Sequence, residues 1–230
     1  MDITGLVDLF FNGAVAQTYL PDLLRGAWIT IYLSLAIVIA GLLSGLALAL
    51  IRLVSNKAVV WVLRLFVDCF RAVPPLSVVL LLYFGLPSVG ISLSASWVLW
   101  LTLSLILASF AEEIFWAGIS AVGPGQWEAS RSTGMTNAQT LRYVVLPQAM
   151  RLCIPPLTNR ALAISKNTAL GTAIGMPELL NEAQTALSFS GNATPLIMAA
   201  ILYLIIFMPL MALAGGLEKR MAWGTRTRPI

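Results

Sequence analysis

The chain has 230 residues, 59% of them hydrophobic and only 10% charged, with a mean hydropathy of +0.88 and a formal charge of +4. Soluble domains carry about 25% charged residues, so this composition describes a polytopic membrane protein without a second globular domain. Histidine is absent, which removes imidazole as a general base or zinc ligand. The basic residues flank apolar runs, so the excess charge belongs to membrane topology and not to a nucleic-acid partner.

Asp2 and Asp8 precede the first basic residue, Arg25, the reverse of the basic start of a cleavable signal peptide. Leu6, Val7, Leu9, Phe10 and Phe11 read either as a short amphipathic helix on the membrane surface or as a disordered leader. The first span is expected from Gly26 to Ile51, 26 residues without a charge, against the roughly 20 that a bilayer requires. Arg52, Lys57, Arg64 and Arg71 follow it, which turns this end toward the cytoplasm. The next uncharged run, Ala72 to Ala111, is long enough for two helices and is divided by Pro87, Ser88 and Gly90. A second span therefore runs from near Ala58 to Leu86, and a third from Ser94 to Gly118 with Glu112 and Glu113 near its inner end. Arg64, Asp68 and Arg71 share one face of the second span. Pro74 and Pro75 remove two backbone donors from it and must bend or interrupt it, at a cavity wall, at a hinge or for packing alone.

Gly123, Pro124 and Gly125 then break the chain, and Gln126 to Thr133 suits one short helix. Glu128 is expected in its first turn, where a carboxylate complements the helix dipole. Gly134 is placed to end it in a left-handed conformation. Thr136 or Asn137 caps a second helix running toward Leu146, with Pro147 closing it.

Pro155 and Pro156 read as a breaker pair ahead of a fourth span, Leu157 to Met176, the least hydrophobic of the set with Asn159, Arg160, Lys166, Asn167 and Thr168. Lys166 falls near mid-membrane, where a charge costs at least about 3 kcal/mol unless paired or wet. It is either a wall of a translocation path, able to offset a substrate carboxylate, or half of an ion pair with Glu112 or Glu113. Glu178 and Glu182 follow Pro177 in an outer segment and read as solvated surface or as a contact for an external partner. The fifth span, Thr194 to Leu217, leads to Glu218, Lys219, Arg220, Arg226 and Arg228. Of the 14 Lys and Arg residues, Arg25 lies outside and eleven lie beside inner ends, with Arg160 and Lys166 inside the fourth span. The expectation is an all-α membrane protein of five transmembrane helices, N-terminus outside and C-terminus cytoplasmic. Cys69 and Cys153 are far apart and read as small buried residues. Two other function classes are a non-transporting scaffold and a Ser-Lys membrane enzyme. A scaffold needs neither the Glu128–Pro147 spacing nor a polar fourth span, and adjacent Ser165 and Lys166 would point about 100° apart on one helix.

Glu128, Ala129, Ser130, three residues, Gly134, nine residues, Val144, Val145, Leu146, Pro147 resembles the Glu-Ala-Ala loop of bacterial ABC importer permeases, with Ser130 for the second alanine and Val144 for isoleucine. Arg71 to Leu76 is similar to the Arg-Gly-Thr-Pro-Leu segment of the polar amino-acid branch (histidine, glutamine and glutamate type), departing at Ala72 and Val73. Tyr83 to Pro87, Leu146 to Ala149 and Lys166 to Leu170 also fit. Glu113, Ile114, Phe115 and Gly118 match a Glu-x-x-Arg-Gly-Gly segment in which Trp116 and Ala117 replace Arg and Gly. The resemblance extends from about Arg25 to Arg220. It implies the type I ABC importer permease fold in a bacterial inner membrane, importing polar amino acids or relatives such as opines by alternating access. It divides the chain into a periplasmic segment 1–25, a membrane domain 26–218 with a cytoplasmic coupling loop 119–151, and a cytoplasmic tail 219–230. Glu128, Ala129, Ser130, Gly134, Leu146 and Pro147 would couple to a cytoplasmic ABC ATPase dimer. Arg71, Pro74, Pro75, Glu112, Glu113, Lys166, Asn167 and Thr168 would line the path or form structural ion pairs. The chain lacks a Gly-x-x-x-x-Gly-Lys-Ser/Thr loop, so no cofactor is expected on it, and ATP and Mg belong to the ATPase. The remaining implied partners are membrane lipid, a periplasmic amino-acid-binding protein and a second permease subunit, a paralogue in preference to a second copy because of Trp116.

Overall fold

A computed structural model describes residues 3–222, and its elements follow the apolar runs and their punctuation. Helix α1 covers Ile3–Phe11 and α2 covers Gly13–Val54. Asn12 separates them, its Oδ1 accepting from the Val15 amide at 3.0 Å as an N-cap. The helical reading of the N-terminal segment is therefore the one found. Asp2, Arg226 and Arg228 lie outside the described residues.

Asn56 caps α3 (Lys57–Ala72) through the Val59 amide at 3.1 Å, and α4 (Pro75–Gly85) begins directly after Val73 and Pro74. The two helices are bent by 100° at that break, as two residues without an N–H require. A 3-10 turn, Leu86–Val89, ends at Gly90 with φ +82, a left-handed conformation that glycine adopts without strain. Helix α5 (Ala95–Ser120) matches the expected third span closely.

Next come α6 (Pro124–Ser132), α7 (Asn137–Thr140), a π-helical turn over Leu141–Val145, and α8 (Leu146–Lys166). A 3-10 stretch (Asn167–Ile174), α9 (Leu179–Ser190) and α10 (Thr194–Ala222) complete the chain. Two expectations fail here. Pro147 does not close a helix, and Pro155 and Pro156 lie inside α8 without ending it. The π turn, with the Leu146 amide bonded to the Leu141 carbonyl, changes register just before Pro147, whose missing donor then disturbs only a first turn. At Pro155 and Pro156 the carbonyls of Arg151 and Leu152 lose their helical amide donors, yet α8 runs on to Lys166.

Among the described residues three stretches are long and apolar enough to cross a membrane: Val7–Val54, α5 and Thr194–Lys219. The bent pair α3–α4 makes a fourth if counted as one span. Helix α8, which opens the expected fourth span, carries Arg151, Arg160 and Lys166 and falls below that apolar threshold.

The chain forms two compact units. The first takes Met1–Val38, Val73–Ser104 and Ile164–Leu210, with a core of Leu23, Ala27, Leu179, Ala183, Ala186 and Ala199. The second takes Ile39–Ala72, Leu105–Ala163 and Met211–Ile230. Its core groups Ala49, Ala111, Phe115, Cys153 and Leu157 in one cluster, and Ile119, Val122, Val145 and Ala149 in another. Gly118 belongs to this unit: a Cβ there would collide with the Cys153 sulfur and meet the Ala149 carbonyl at 3.2 Å, so α5 and α8 approach as only glycine allows. Cys153 is buried as expected, but Cys69 is exposed, and both thiols are free.

Candidate functional site

The polar loop of the second unit is built as a mounted short helix. Helix α6 starts at Pro124, with Gly123 before it and the Gln126 amide bonded to the Gly123 carbonyl at 3.0 Å. Because it starts earlier than expected, Glu128 stands one residue beyond the first turn. At the other end the Met135 amide bonds the Ser130 carbonyl at 3.3 Å and the Gly134 amide bonds Arg131 at 3.0 Å. With φ +88 at Gly134, these bonds form a Schellman motif. Thr136 and Gln139 exchange hydrogen bonds in a capping box that opens α7. A nine-residue helix is thus stopped and a new one capped within four residues.

One face of α6 fixes it and the other is free. Trp127 packs against the cluster of Ile119, Val122, Val145 and Ala149. Ser130 is buried, and its hydroxyl returns to its own helix, donating to the Gln126 carbonyl at 2.7 Å and to that of Trp127 at 3.1 Å. A serine can therefore replace alanine here without leaving a buried donor unmet. Gln148 ties α8 to this mount, its Nε2 donating to Gln126 Oε1 at 3.2 Å and to the Val144 carbonyl at 2.9 Å. Glu128, Ala129, Gly134 and Pro147 are exposed, and Leu146 is half-buried against the cluster. Isolated helices shorter than about 12 residues are marginal, so α6 owes its form to this anchoring and leaves its outer face exposed.

The second unit also holds two cation–carboxylate pairs, one buried and one partly exposed. Arg52 of α2 donates through Nη1 to both oxygens of Glu112, at 2.9 and 3.2 Å. Glu112 is fully buried, and the guanidinium carbon lies 4.3 Å from the centre of the Trp116 ring. The indole face therefore supports the cation, and Arg52 Nε remains without a hydrogen-bond partner. Arg71 of α3 pairs with Glu113. The partners of both glutamates are thus arginines of α2 and α3, while the sequence reading had weighed Lys166 for them. Trp116 lies one helical turn from Glu112, and its ring stands beside the cation that this glutamate pairs with.

The other expected path residues fall in the first unit. Pro74 and Pro75 make the break before α4. Lys166 ends α8, exposed, with its Nζ 5.9 Å from the centre of the Phe207 ring. Asn167 opens the 3-10 stretch, and the buried Thr168 donates to the Ser165 carbonyl at 2.8 Å. Glu178 is not the solvated residue expected. It is fully buried and accepts from the Thr172 hydroxyl at 2.7 Å, the Asn181 and Leu180 amides at 2.8 and 3.0 Å, and the Tyr203 hydroxyl at 3.0 Å. This carboxylate caps α9 and ties it to the 3-10 stretch and α10. Glu182 is half-buried, and its carboxyl is raised above the usual range by that burial first and then by the Asp22 charge, with Arg25 opposing.

No cluster of metal-ligating side chains exists among the described residues. Over residues 37–223 the chain matches the family described as binding-protein-dependent transport system inner membrane component. It is 33% identical over 219 residues to YckA of Bacillus subtilis (strain 168), a probable amino-acid ABC transporter permease protein, covering 94% of this chain and 96% of that one. GlnP of the same organism, a probable glutamine ABC transporter permease protein, is 29% identical over 214 residues, covering 91% and 98%. A chain from the crystal structure of an amino acid ABC transporter with histidines superposes with a TM-score of 0.81 at 31% identity, covering 96% of this chain and 99% of that chain.

Proposed function

Because this chain belongs to the binding-protein-dependent transport system inner membrane component family, we propose that it imports a polar amino acid or a close relative, coupling uptake to ATP through α6. The family makes it an all-helical, multi-pass permease of the bacterial inner membrane with the type I ABC importer fold, and not itself an enzyme. The observation that carries the coupling assignment is α6: an anchored helix too short to stand alone, stopped by a Schellman glycine, with Glu128 and Ala129 facing outward. A cytoplasmic ABC ATPase dimer receives that face and holds the ATP and Mg. An external binding protein delivers the substrate to a path enclosed with a second permease subunit, a paralogue in preference to a copy. Arg71, Pro74, Pro75, Glu112, Glu113, Lys166, Asn167 and Thr168 are its wall or its structural ion pairs, and alternating access proceeds by rocking of the two halves.

The test is ATP hydrolysis by the whole complex in proteoliposomes. Amino acid together with the binding protein is expected to raise the rate severalfold. A rate indifferent to every amino acid offered overturns the import reading.

The topology belongs to the same proposal: five spans, residues 1–25 outside, 26–218 in the membrane, and the loop 119–151 and tail 219–230 inside. Its support is the distribution of Lys and Arg. Cys69 is exposed and Cys153 buried, so Cys69→Ser provides a quiet background. Single cysteines at Val89 and Ser132 are expected to react with an impermeant maleimide from opposite faces of oriented vesicles. Reaction of both from one face would remove the five-span arrangement.

A further inference from the structure

In the second unit two guanidinium groups share one aromatic ring. The Arg160 guanidinium carbon lies 3.7 Å from the centre of Phe110, and that of Arg71 lies 5.4 Å from the same centre. The two carbons are therefore no farther apart than those distances laid end to end. Arg71 has Glu113 as its counter-ion. The other carboxylates of α5 and α10 here are also engaged, Glu112 with Arg52 and Glu218 as acceptor of the Asn159 amide at 2.7 Å. Among the described residues, Arg160 has the ring face and no carboxylate. The group of Arg71, Glu113 and Arg160 thus retains one positive charge.

A ring satisfies a guanidinium in a particular way. It supports the charge and fixes the plane, but it takes none of the five N–H donors, which remain in the fork that matches a carboxylate. Arg160 is half-buried, where a charge-assisted bidentate bond is stronger than in bulk water. It stands on α8, whose polar residues Asn159, Ser165 and Lys166 set it apart from the more apolar α5 and α10.

We propose that Arg160, held over the Phe110 ring beside the Arg71–Glu113 pair, receives a carboxylate of the transported substrate. The proposal rests on the import reading above and deepens it: the group recognised is the carboxylate that amino acids share, one negative charge for one positive charge left over.

The test uses the whole complex in proteoliposomes. Phenylglyoxal modification of Arg160 is followed by peptide mass spectrometry with L-glutamine, L-glutamate, L-histidine or L-arginine present, each compared with its α-amide. At least one amino acid is expected to protect Arg160 while its amide does not. Equal protection by the amide, no protection, or protection arising only when phosphatidylglycerol replaces phosphatidylcholine overturns the proposal, the last outcome assigning the site to lipid. In uptake assays Arg160→Gln is expected to raise KM about tenfold with kcat little changed, the signature of lost binding, and Arg160→Lys to recover part of the loss. A wild-type complex that imports while Arg160→Gln inserts and keeps its KM sinks this site but not the import reading. A wild-type complex that imports none of the four, with Arg160 still protected, sinks the import reading and leaves the site.

Discussion

Gly134→Val leaves membrane insertion intact, weakens association with the ATPase and abolishes ATP-driven uptake. Gly134 ends α6 at φ +88, a region costly to L-residues and most of all to β-branched ones. No atom stands within 4 Å of the position a Cβ would take, so the penalty comes from backbone handedness and not from crowding. A strain of about 1–3 kcal/mol is relieved most easily by unwinding the Met135 and Gly134 hydrogen bonds, which turns α6 away from its exit. The membrane spans have no share in that change. Copurification with the ATPase and uptake of a radiolabelled amino acid measure the two effects. Gly134→Asn, which tolerates left-handed backbone better, retains a large part of the activity although asparagine is far bulkier than glycine. Normal uptake by well-inserted Gly134→Val protein would refute the coupling assignment.

The second large effect belongs to Glu112. Its carboxylate is fully buried on Arg52, whose side chain is 11% exposed. Glu112→Gln removes the charge and leaves a guanidinium with one ring and an already unpartnered Nε. Breaking one side of a buried pair costs about 3–5 kcal/mol, because the remaining charge stays desolvated. The single variant is expected to fall sharply in yield of monodisperse protein and in melting temperature. Arg52→Met combined with Glu112→Leu removes both charges and restores most of that loss. If the double variant is as poor as the single one, the pair does something other than balance charge.

The two cases differ in how far they could be read ahead. The α6 loop is local: a Pro after Gly, a glycine stop, and Thr136 three residues before Gln139 each act on neighbours in sequence. Its ends were legible within two residues, the misplacement of Glu128 coming only from a start two residues early. The cation–carboxylate pairs depend on which helix faces which. Arg52 and Glu112 are sixty residues apart, and no periodicity within α2 or α5 names the partner. Prolines mislead for a related reason. Pro147, Pro155 and Pro156 look like stops when only the missing donor is considered, whereas a π turn shifts the register before the first and α8 runs through the other two. Glu178 was misread because a carboxylate after a proline at a helix start is usually wet. Here Thr172 from the preceding 3-10 stretch and Tyr203 from α10 converge on it.

Helix α2 also acts as a ruler for the bilayer. Its 42 residues measure about 63 Å at 1.5 Å per residue, about twice the roughly 30 Å of a hydrocarbon layer. The uncharged stretch between Arg25 and Arg52 alone measures about 39 Å at that rise, so a span made from it has slack to tilt or to accept a thicker membrane. Thickness mismatch is therefore absorbed without breaking the rod.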